Sequence, residues 1–264
     1  MTAEDAWAPL AERFVDKHYA SLRGRVRTYV IDRHLHAHLP PVPASLIDVG
    51  GGAGTQSIPL ARAGYRVTIV DPSEAMLHRA ALALAAEPAA VAGRVRLIRA
   101  TAGDASHALG GERFAGVLCH GVIMYVEEPR PFLAALAALL APGGVLSLVA
   151  KNAACLAVRP ALEGRWDAAL AAFDTDRQVN GLGVSTRADS LEDVTDTLAE
   201  LGVARIEWYG VRLFSDGWTR VPEPPDAPDV SSTSDAVFAV EFEASRRDPY
   251  RQLSRLFHYV GVRR

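Results

Sequence analysis

The sequence contains little cysteine, little lysine and no long apolar run. Two cysteines among 264 residues are too few for a disulfide framework, which predicts a cytoplasmic protein in a reducing environment. Acidic residues at four of the first 20 positions argue against a secretory signal peptide. The longest apolar run, residues 132–141, is about half the length of a membrane span. We therefore expect neither a secreted nor a membrane-spanning protein.

Positive charge comes almost entirely from arginine, because lysine occupies only two of the 28 basic positions. The formal net charge of -3 neither requires nor excludes a surface that binds nucleic acid. Apolar residues make up 49% of the chain, which is enough for the core of one large α/β domain. No group of residues has the spacing of a metal site, so we expect no metal.

Glycine is concentrated in one short stretch, around which the rest of the sequence is arranged. Residues 46–49 form an apolar run typical of a buried strand, and residues 50–54 read Gly-Gly-Gly-Ala-Gly. Residues 55–63 have the apolar spacing of a helix, and a second apolar run, residues 66–70, ends at Asp71. The pattern predicts a β-α-β unit with a glycine turn after its first strand and an acid after its second.

Such a unit binds the edge of a nucleotide, and two cofactors compete for it. An acid about 20 residues beyond the turn can accept hydrogen bonds from ribose hydroxyls, and Asp71 follows Gly54 by 17 positions. NAD enzymes place glycines at positions one, three and six, whereas position six counted from Gly50 is Thr55. The carboxylate of Asp48 would repel a pyrophosphate but attract the ammonium of a methionine tail. We therefore favour an S-adenosylmethionine site over a dinucleotide site or a plain tight turn.

Two further predicted strands end in small or polar residues. Residues 94–99 lead into Ala102, Gly103 and Asp104, which suit an adenine edge with the Asp104 carboxylate accepting from the exocyclic amine. An ordinary turn acid is the alternative for Asp104. Residues 114–122 form the fourth predicted strand. In a parallel sheet, ligands bind at the carboxyl ends of the strands. We expect that edge to carry Asp48, Asp71, Ala102 and His120.

The remaining sequence completes the sheet. Pro-Gly-Gly at 142–144 precedes a fifth strand, 145–150, and late strands are predicted at 203–214 and 256–263 with helical spacing at 234–247 between them. Late strands beside the fifth are typical of class I methyltransferases, whereas an NAD enzyme would continue with parallel units. We therefore predict an α/β fold, a Rossmann-like seven-stranded class I methyltransferase sheet with helices on both faces.

We expect one methyltransferase domain over residues 1–264. Gly24 is predicted to separate two helices near the start, and Trp166 and Phe173 are expected to anchor a core or a lid. The parts of the domain are an N-terminal helical segment (1–43), a core that binds S-adenosylmethionine (44–151), a possible cap formed by helix plus loop (152–190) and the C-terminal part of the sheet (191–264).

Several motifs give the chain a specific resemblance over almost its whole length. They are Ala11-Glu12-Arg13-Phe14, Tyr19, Gly24-x-x-Arg27, Asp48-x-Gly50-Gly51-Gly52-x-Gly54, Ala102-x-Asp104-Ala105-Ser106-His107, His120-x-Val122, Pro142-Gly143-Gly144, Asn152-Ala153, Gly210-Val211-Arg212-x-Phe214-x-Asp216, Asp248-Pro249-Tyr250 and His258. In these motifs the chain resembles the bacterial tRNA 5-carboxymethoxyuridine methyltransferases, which esterify the carboxylate of a modified wobble uridine. The resemblance implies a tRNA-modifying transferase whose cofactor is S-adenosyl-L-methionine.

The resemblance also implies which residues contact the cofactor. Arg27 would pair with the carboxylate of the cofactor, an attraction that is sizeable where the pair is partly desolvated. The implied set is Arg27, Gly50, Gly51, Asp71, Ala102, Gly103 and His120. Reasoning from the glycine motif and the third strand adds Asp48, Gly52 and Asp104.

One stretch departs from the family. Where the family has a lysine-rich run suited to tRNA phosphates, residues 174–181 here read Asp-Thr-Asp-Arg-Gln-Val-Asn-Gly. A tRNA would then have to bind through other arginines, and the candidates are Arg23, Arg25, Arg246, Arg247, Arg251 and Arg255. The alternatives are a small-molecule O- or N-methyltransferase of metabolism or natural-product biosynthesis, with a carboxylate or hydroxyl acceptor, and a non-catalytic binder of the cofactor.

The catalytic candidates follow from the acceptor. A carboxylate is already anionic and needs no general base, but it needs a cation to position it. Arg212 is the first candidate for that cation, and a structural ion pair is its alternative. Tyr19, Tyr125 and Asn152 are candidate wall residues. His120 could act as a base, although its place at the tip of the fourth strand suits cofactor contact, and a packed neutral histidine is the alternative.

Overall fold

A computed structural model describes residues 21–180, 183–216 and 230–264, and the side chains of residues 230–234 are outside that description. The helices are α1 (Leu22–His38), α2 (Ser57–Ala63), α3 (Glu74–Ala85), α4 (Ala89–Ala92), α5 (Ala102–Ala108), α6 (Pro129–Ala138), α7 (Val158–Leu162), α8 (Trp166–Ala171), α9 (Leu191–Glu200) and α10 (Val230–Ser245). The strands are β1 (Ser45–Val49), β2 (Arg66–Asp71), β3 (Val95–Arg99), β4 (Phe114–His120), β5 (Leu140–Lys151), β6 (Arg177–Val179), β7 (Ser185–Arg187), β8 (Val203–Val211) and β9 (Leu256–Arg263).

Seven of these strands form one sheet in the order β3-β2-β1-β4-β5-β9-β8. The five strands from β3 to β5 are parallel to their neighbours, as expected for strands joined by helical crossovers. The last strand, β9, is antiparallel to both β5 and β8, between which it lies. This arrangement confirms the predicted seven-stranded Rossmann-like sheet, including the late strands beside the fifth.

Both faces of the sheet are covered, because neighbouring residues of its central strands belong to different apolar cores. Leu46 packs in a core with α1, α2, α3 and α10, whereas the next residue, Ile47, packs in a core with α5, α6 and α9. Both side chains are fully buried. Burial on both faces explains why these strands read as continuous apolar runs. Within the described ranges, no helix combines the length and apolarity that crossing a membrane requires.

The reversed strand β9 shapes the edge of the sheet at which the parallel strands end. Leu256, the first residue of β9, is paired with Lys151 at the end of β5 and with Val211 at the end of β8. The turn that follows β8 and the segment that precedes β9 therefore meet at this edge. The residues directly outside the pairing, Arg212 and Arg255, join there through a backbone hydrogen bond of 2.8 Å from Arg255 N–H to the Arg212 carbonyl.

Three local expectations differ from the structure. Gly24 lies inside α1, whose N-terminal cap is Ser21, so it does not separate two helices. The segment after β5 contains 3₁₀ and α turns and also a two-stranded β6-β7 hairpin, where only helix plus loop was expected. The prediction of Trp166 and Phe173 as core anchors is wrong, because they are 67% and 76% exposed. The six-residue helix α8 buries Ala169 and turns its large apolar side chains outward.

Candidate cofactor and acceptor site

The glycine turn after β1 is held closed by its own backbone. The N–H groups of Gly50 and Gly51 donate to the carbonyl of Val70, at 2.7 and 3.4 Å, and the N–H of Gly52 donates to Oδ2 of Asp71 at 3.0 Å. A pyrophosphate is bound through free backbone N–H groups of such a turn. Here those donors are already used within the protein, so the turn is a poor cradle for a dinucleotide.

Two positions of the turn require glycine. Gly50 and Gly52 have φ values of 73° and 54°, in the left-handed region that favours glycine. A Cβ atom at Gly50 would lie 2.3 Å from Val122 Cγ2, and one at Gly52 would lie 2.6 Å from Met76 Cε. The turn therefore packs against β4 and α3 as bare backbone, which lets a flat ligand lie close to it.

Asp71 at the end of β2 has the capacity expected of a ribose ligand. One carboxylate oxygen accepts from Gly52 N–H, and the other accepts from Ser73 N–H at 2.9 Å. Each oxygen can accept a second hydrogen bond, so two ribose hydroxyls fit the remaining capacity. Burial raises the pKa of Asp71, and the two backbone bonds oppose that shift. Contact between Asp71 and a cofactor stays a prediction.

Asp48 places a second carboxylate beneath the same turn. It is 2% exposed, and its Oδ2 accepts from the Ser57 hydroxyl at 2.7 Å. A Cβ atom on Gly51 would lie 2.8 Å from the Asp48 carboxylate, which shows how closely the turn covers it. Burial raises the pKa of Asp48 to about 6. Near neutral pH the group is mostly ionised, and this edge is negative.

Helix α1 brings Arg27 to the tip of β4. The helix buries Val26 and Val30 against the sheet, and Arg27 on that side is 6% exposed. Its Nη2 donates to the backbone carbonyl of His120 at 3.0 Å. The next residue, Gly121, has φ of 79°, so the chain turns away sharply after the strand. Arg27 and His120 thus lie together, as expected for residues that hold one ligand.

The His120 ring is neutral and points its Nε2 into the protein. Nε2 is hydrogen-bonded to the Ser147 hydroxyl at 2.8 Å, and Nδ1 is buried with no hydrogen-bond partner among the described residues. Burial holds the pKa of His120 well below its usual range, and the nearby His258 and Arg27 lower it further. The packed neutral histidine named as the alternative fits this environment, and contact between His120 and the cofactor stays a prediction.

The third strand end is organised by a helix cap. Thr101 caps α5, and its hydroxyl accepts from Asp104 N–H at 3.2 Å and donates to the Asp104 carboxylate at 2.6 Å. Ala102 and Gly103 form the first turn of that helix. Asp104 is exposed and retains acceptor capacity. Its contact with an adenine amine remains a prediction.

A cavity of about 370 Å³ lies at the other end of the same edge, between α7 and the turn after β8. We call it the arginine cavity. Its walls include Arg159, Arg212, Arg255, Cys155, Leu162 and Phe214. Arg212 has φ of 66° and forms an ion pair with Asp216, to whose Oδ1 its Nε donates at 3.1 Å. The structural ion pair weighed for Arg212 is therefore formed, and it still leaves the guanidinium in the wall.

The arginine cavity carries an excess of positive charge. Arg23 of α1 lies within electrostatic range of Arg159 and Arg212, which together with burial lower its pKa. Three guanidinium groups thus line the cavity and that of Arg23 lies near them, whereas Asp216 and Glu163 supply the carboxylates that line it. Arg23 Nη2 and Arg255 Nη1 are buried without a hydrogen-bond partner in the described part of the chain. Such unpartnered donors suit an anionic ligand.

The two halves of the edge are joined by one helix. Arg23 and Arg27 are four residues apart on α1, so they lie on the same side of the helix, about 6 Å apart along its axis. Arg27 contacts the tip of β4 and Arg23 faces the charges of the arginine cavity. A ligand at the glycine turn and a second ligand in the cavity would therefore be neighbours.

The other candidates are less closely tied to this edge. Tyr125 follows β4, and its hydroxyl accepts from Asn180 Nδ2 at 3.4 Å. Asn152 stays a candidate wall residue, and its Nδ2 also donates to the carbonyls of Gln252 and Ser254 and so supports the chain before β9. Tyr19 lies outside the described residues. Within the described ranges, no three His, Cys, Asp or Glu side chains are grouped to hold a metal ion.

Most arginines proposed for tRNA are already paired. Arg246 and Arg247 both pair with Glu243, and Arg251 pairs with Asp248 and Glu207. Arg255 donates to Gln178 at 2.6 Å from a largely buried position in the cavity wall. Arg25 is exposed on α1. Three of the six candidates, Arg246, Arg247 and Arg251, are thus paired with carboxylates.

The residues that sequence reasoning missed lie behind His120. Ser147, His258 and His34 are hydrogen-bonded in series to its ring, and all three are at most 1% exposed. They come from β5, β9 and α1, which are far apart in the sequence. Their contacts depend on the register of β9, which no spacing of residues along the chain encodes.

Comparison with known proteins identifies the family. Residues 47–146 match a family model described as a methyltransferase domain. The tRNA 5-carboxymethoxyuridine methyltransferase of Escherichia coli O157:H7 is 30% identical over 260 residues, which cover 96% of this chain and 94% of that protein. A ubiquinone biosynthesis O-methyltransferase of Caulobacter vibrioides is 35% identical over 121 residues, 46% of either chain.

Solved structures agree on the fold. Magnesium protoporphyrin IX methyltransferase of Synechocystis, solved with bound S-adenosylhomocysteine, matches with a TM-score of 0.64 at 16% identity, covering 99% of this chain and 98% of that one. The comparisons confirm the predicted enzyme class and its cofactor, S-adenosyl-L-methionine. The glycine turn, whose first three N–H groups are bonded within the protein, and the two carboxylates fit that cofactor. The chain is a class I S-adenosylmethionine-dependent methyltransferase and belongs to the family of the tRNA 5-carboxymethoxyuridine methyltransferases.

Proposed function

We propose that the enzyme methylates a carboxylate oxygen, and that its acceptor is 5-carboxymethoxyuridine at the wobble position of a tRNA. When bound, S-adenosylmethionine supplies a methyl group on a sulfonium, which passes to the carboxylate oxygen and leaves a methyl ester and S-adenosylhomocysteine. The protein contributes orientation, which can lower such a barrier by roughly 7–11 kcal/mol. It needs no group to remove a proton from an ionised acceptor.

A few residues at the carboxyl ends of the strands bind the separate parts of the cofactor, and we call this region the cofactor edge. Asp71 accepts from the ribose hydroxyls, and Asp104 with Ala102 and Gly103 borders the adenine. Gly50, Gly51 and Gly52 let the ligand approach the backbone. Arg27 and His120 hold the amino-acid tail, with Asp48 supplying negative charge beneath it.

The excess positive charge of the arginine cavity is the main support for a carboxylate acceptor. Three lining guanidinium groups and the nearby Arg23 outnumber the two lining carboxylates, and Arg23 and Arg255 each keep a buried N–H group without a partner among the described residues. Arg212 is then one wall of an anion site and not the single cation that places the acceptor. The volume of about 370 Å³ falls within the range of small-molecule sites.

Covalent catalysis from the cavity wall is disfavoured. Cys155 is buried there, and burial raises the pKa of its thiol to about 11. A protonated thiol is a poor nucleophile. Direct transfer to an oriented oxygen therefore fits the site better than an intermediate on the protein.

Two observations support tRNA as the carrier of the acceptor. The likeness to the tRNA 5-carboxymethoxyuridine methyltransferase extends over 96% of the chain. Trp166 and Phe173 are exposed on the segment that continues from the cavity, and exposed aromatic rings can stack on unpaired bases. Residues 152–190 would then act as the cap over the acceptor, with Tyr125 beside it, and the reaction would take place in the cytoplasm.

The paired surface arginines favour a second candidate, methylation of a small acidic metabolite or natural product. Glu243, Asp248 and Glu207 neutralise three arginines, and Asp174 and Asp176 add negative charge near the cap. A small carboxylate would need the arginine cavity but no contact with phosphates.

Incubation with tRNA tests the acceptor. With methyl-labelled cofactor, tRNA that carries 5-carboxymethoxyuridine should become labelled, and mild alkali should release the label because an ester is formed. Matched tRNA that lacks the carboxymethoxy group is the control. If neither tRNA is labelled although S-adenosylhomocysteine binds, the tRNA acceptor is wrong and the small-acid candidate replaces it.

Replacing Asp71 tests the cofactor edge. Asp71→Ala should weaken S-adenosylhomocysteine binding by roughly 10- to 100-fold in calorimetry, because hydrogen bonds to a charged acceptor contribute about 1.5–3 kcal/mol. Glu74→Ala is the matched control, since Glu74 lies on the next turn and its side chain is 80% exposed. Equal affinities in the two variants would remove Asp71 from the site.

Asp48 should make cofactor affinity depend on pH. Burial raises its pKa to about 6 in the free protein, and a bound ammonium would favour the ionised form. Below pH 6 a proton must leave on binding, so affinity should fall by up to about tenfold per pH unit. Calorimetry between pH 5 and 8 should show this fall in the wild type and a flat, weaker profile in Asp48→Asn. A flat wild-type profile would contradict the assignment.

Replacing Arg23 distinguishes acceptor binding from cofactor binding. Arg23→Gln should lower kcat/KM for the acceptor tRNA by about tenfold or more, since a charge-assisted bond to the carboxylate is lost. Affinity for S-adenosylhomocysteine should stay within twofold. Arg247→Gln is the control, because Arg247 is exposed and paired with Glu243. An unchanged kcat/KM in Arg23→Gln would show that the acceptor does not enter the arginine cavity.

A further inference from the structure

A chain of hydrogen bonds runs through the core from α10 to the tip of β4. It links, in order, Ser245, His34, His258, Ser147 and His120, and we call it the histidine–serine chain. His34 Nε2 lies 3.0 Å from Ser245 Oγ, and His34 Nδ1 lies 3.1 Å from His258 Nδ1. Ser147 Oγ then lies 2.7 Å from His258 Nε2 and 2.8 Å from His120 Nε2. Five side chains from five elements are thus connected.

The three rings of the chain are neutral. Burial lowers the pKa of His34 to about 2 and that of His258 to about 3, and it holds the pKa of His120 well below its usual range. A neutral imidazole has one N–H donor and one nitrogen that accepts. Each ring can therefore occur in only two forms, and the hydrogen bonds decide between them.

Ser245, at one end of the histidine–serine chain, determines which group donates in each of its hydrogen bonds. The Ser245 hydroxyl lies 2.6 Å from the carbonyl of Phe242, and since a carbonyl can only accept, the hydroxyl hydrogen points there. Ser245 Oγ must then accept from His34 Nε2–H. The other nitrogen of His34 carries no hydrogen, so it accepts from His258 Nδ1–H.

The same reasoning continues to the cofactor edge. His258 Nε2 has no hydrogen, so it accepts from the Ser147 hydroxyl, and Ser147 Oγ accepts from His120 Nε2–H. His120 Nδ1 is left as a bare lone pair. That atom is buried and has no hydrogen-bond partner among the described residues. The chain thus ends on an acceptor that awaits a donor from a ligand.

Neighbouring charges indicate which donor suits this lone pair. Arg27 donates to the backbone carbonyl of His120, so a guanidinium that can bind a carboxylate lies beside an imidazole that can accept from an ammonium. Asp48, beneath the turn, adds negative charge to the same region. An amino-acid zwitterion presents both complementary groups, and the opposite form of His120, with a hydrogen on Nδ1, would repel its ammonium.

We propose that the histidine–serine chain locks His120 in its Nε2–H form, so that Nδ1 accepts a hydrogen bond from the α-ammonium of the cofactor's amino-acid tail. Ser147, His258 and His34 are then positioning residues for cofactor binding. This assignment rests on the proposed cofactor edge. The chain is not a path for protons, since its far end is a backbone carbonyl that cannot take one up.

Nitrogen NMR of the free wild-type protein tests the lock directly. With ¹⁵N-labelled histidine, the His120 ring should show a protonated Nε2 and an unprotonated Nδ1 at pH 7, and His34 should show the same form. His258 should show the opposite form, with its hydrogen on Nδ1. A hydrogen on Nδ1 of His120, or a doubly protonated ring, would overturn the proposal. This measurement needs no cofactor and no variant.

The ligand affinities of two serine variants then test whether the histidine–serine chain affects cofactor binding. Ser147→Ala should lower the affinity for S-adenosylhomocysteine by about tenfold or more. Its affinity for methylthioadenosine, which lacks the amino-acid tail, should stay within twofold of the wild-type value. Ser254→Ala is the matched control, because Ser254 is an equally buried serine outside the chain. In Ser147→Ala the His120 ring should become a mixture of its two neutral forms.

The outcomes separate this inference from the proposed cofactor edge. If Ser147→Ala loses affinity equally for both ligands, or for neither, the positioning role of the histidine–serine chain is overturned. Failure of the wild type to bind S-adenosylhomocysteine would instead remove the cofactor edge, while the NMR result on the ring would stand by itself.

Discussion

The site depends on how the ends of β1 and β2 are tied together. The carbonyl of Val70 and the carboxylate of Asp71 take the N–H groups of the first three glycines after β1. The donors that would otherwise face a ligand are turned inward, and the buried carboxylates of Asp48 and Asp71 make the edge negative. An edge of this kind suits a positively charged ligand and disfavours a pyrophosphate. The choice between two nucleotide cofactors thus follows from three hydrogen bonds donated by backbone N–H groups and one buried acid.

The antiparallel direction of β9 makes the half of the edge that forms the arginine cavity positively charged. Because β9 runs antiparallel to β5 and β8, it places Arg212 and Arg255 side by side where the parallel strands end. Helix α1 adds Arg23 to this group and Arg27 to the cofactor half. A cationic methyl donor above Asp48 and an anionic acceptor among the arginines would attract each other. Their charges favour alignment before any further contact is made.

The sequence predicts the cofactor half well, because its information is local. A glycine turn, an acid at a strand end and the alternation of strands with helices are each readable within about 30 residues. The strand order follows from the rule of right-handed crossovers and from the two late strands. The acceptor half depends instead on contacts between distant segments. Arg23 and Arg255 are 232 positions apart, and the ion pair of Arg212 depends on a turn with positive φ.

Errors in the sequence reasoning come from similar causes. Trp166 and Phe173 are large and apolar, which predicts burial, but α8 buries Ala169 instead, and both Trp166 and Phe173, which follows the helix, are exposed. The bonds of the Asn152 amide to the backbone before β9 were not foreseen either, since they join segments about 100 residues apart. The histidine–serine chain needs the register of β9 against β5, since a shift of one residue would turn His258 to the other face.

The neutrality of His120 bears on the kind of acceptor. A hydroxyl or ammonium acceptor must lose a proton as it is methylated, and an efficient base has a pKa near the working pH. Burial and the neighbouring cation hold the pKa of His120 well below that range, so its lone pair accepts hydrogen bonds but takes up protons poorly. The thiol of Cys155, with its raised pKa, is no base either. A carboxylate acceptor avoids the requirement altogether. The chemistry that the edge lacks and the cations that the cavity supplies thus favour the same acceptor.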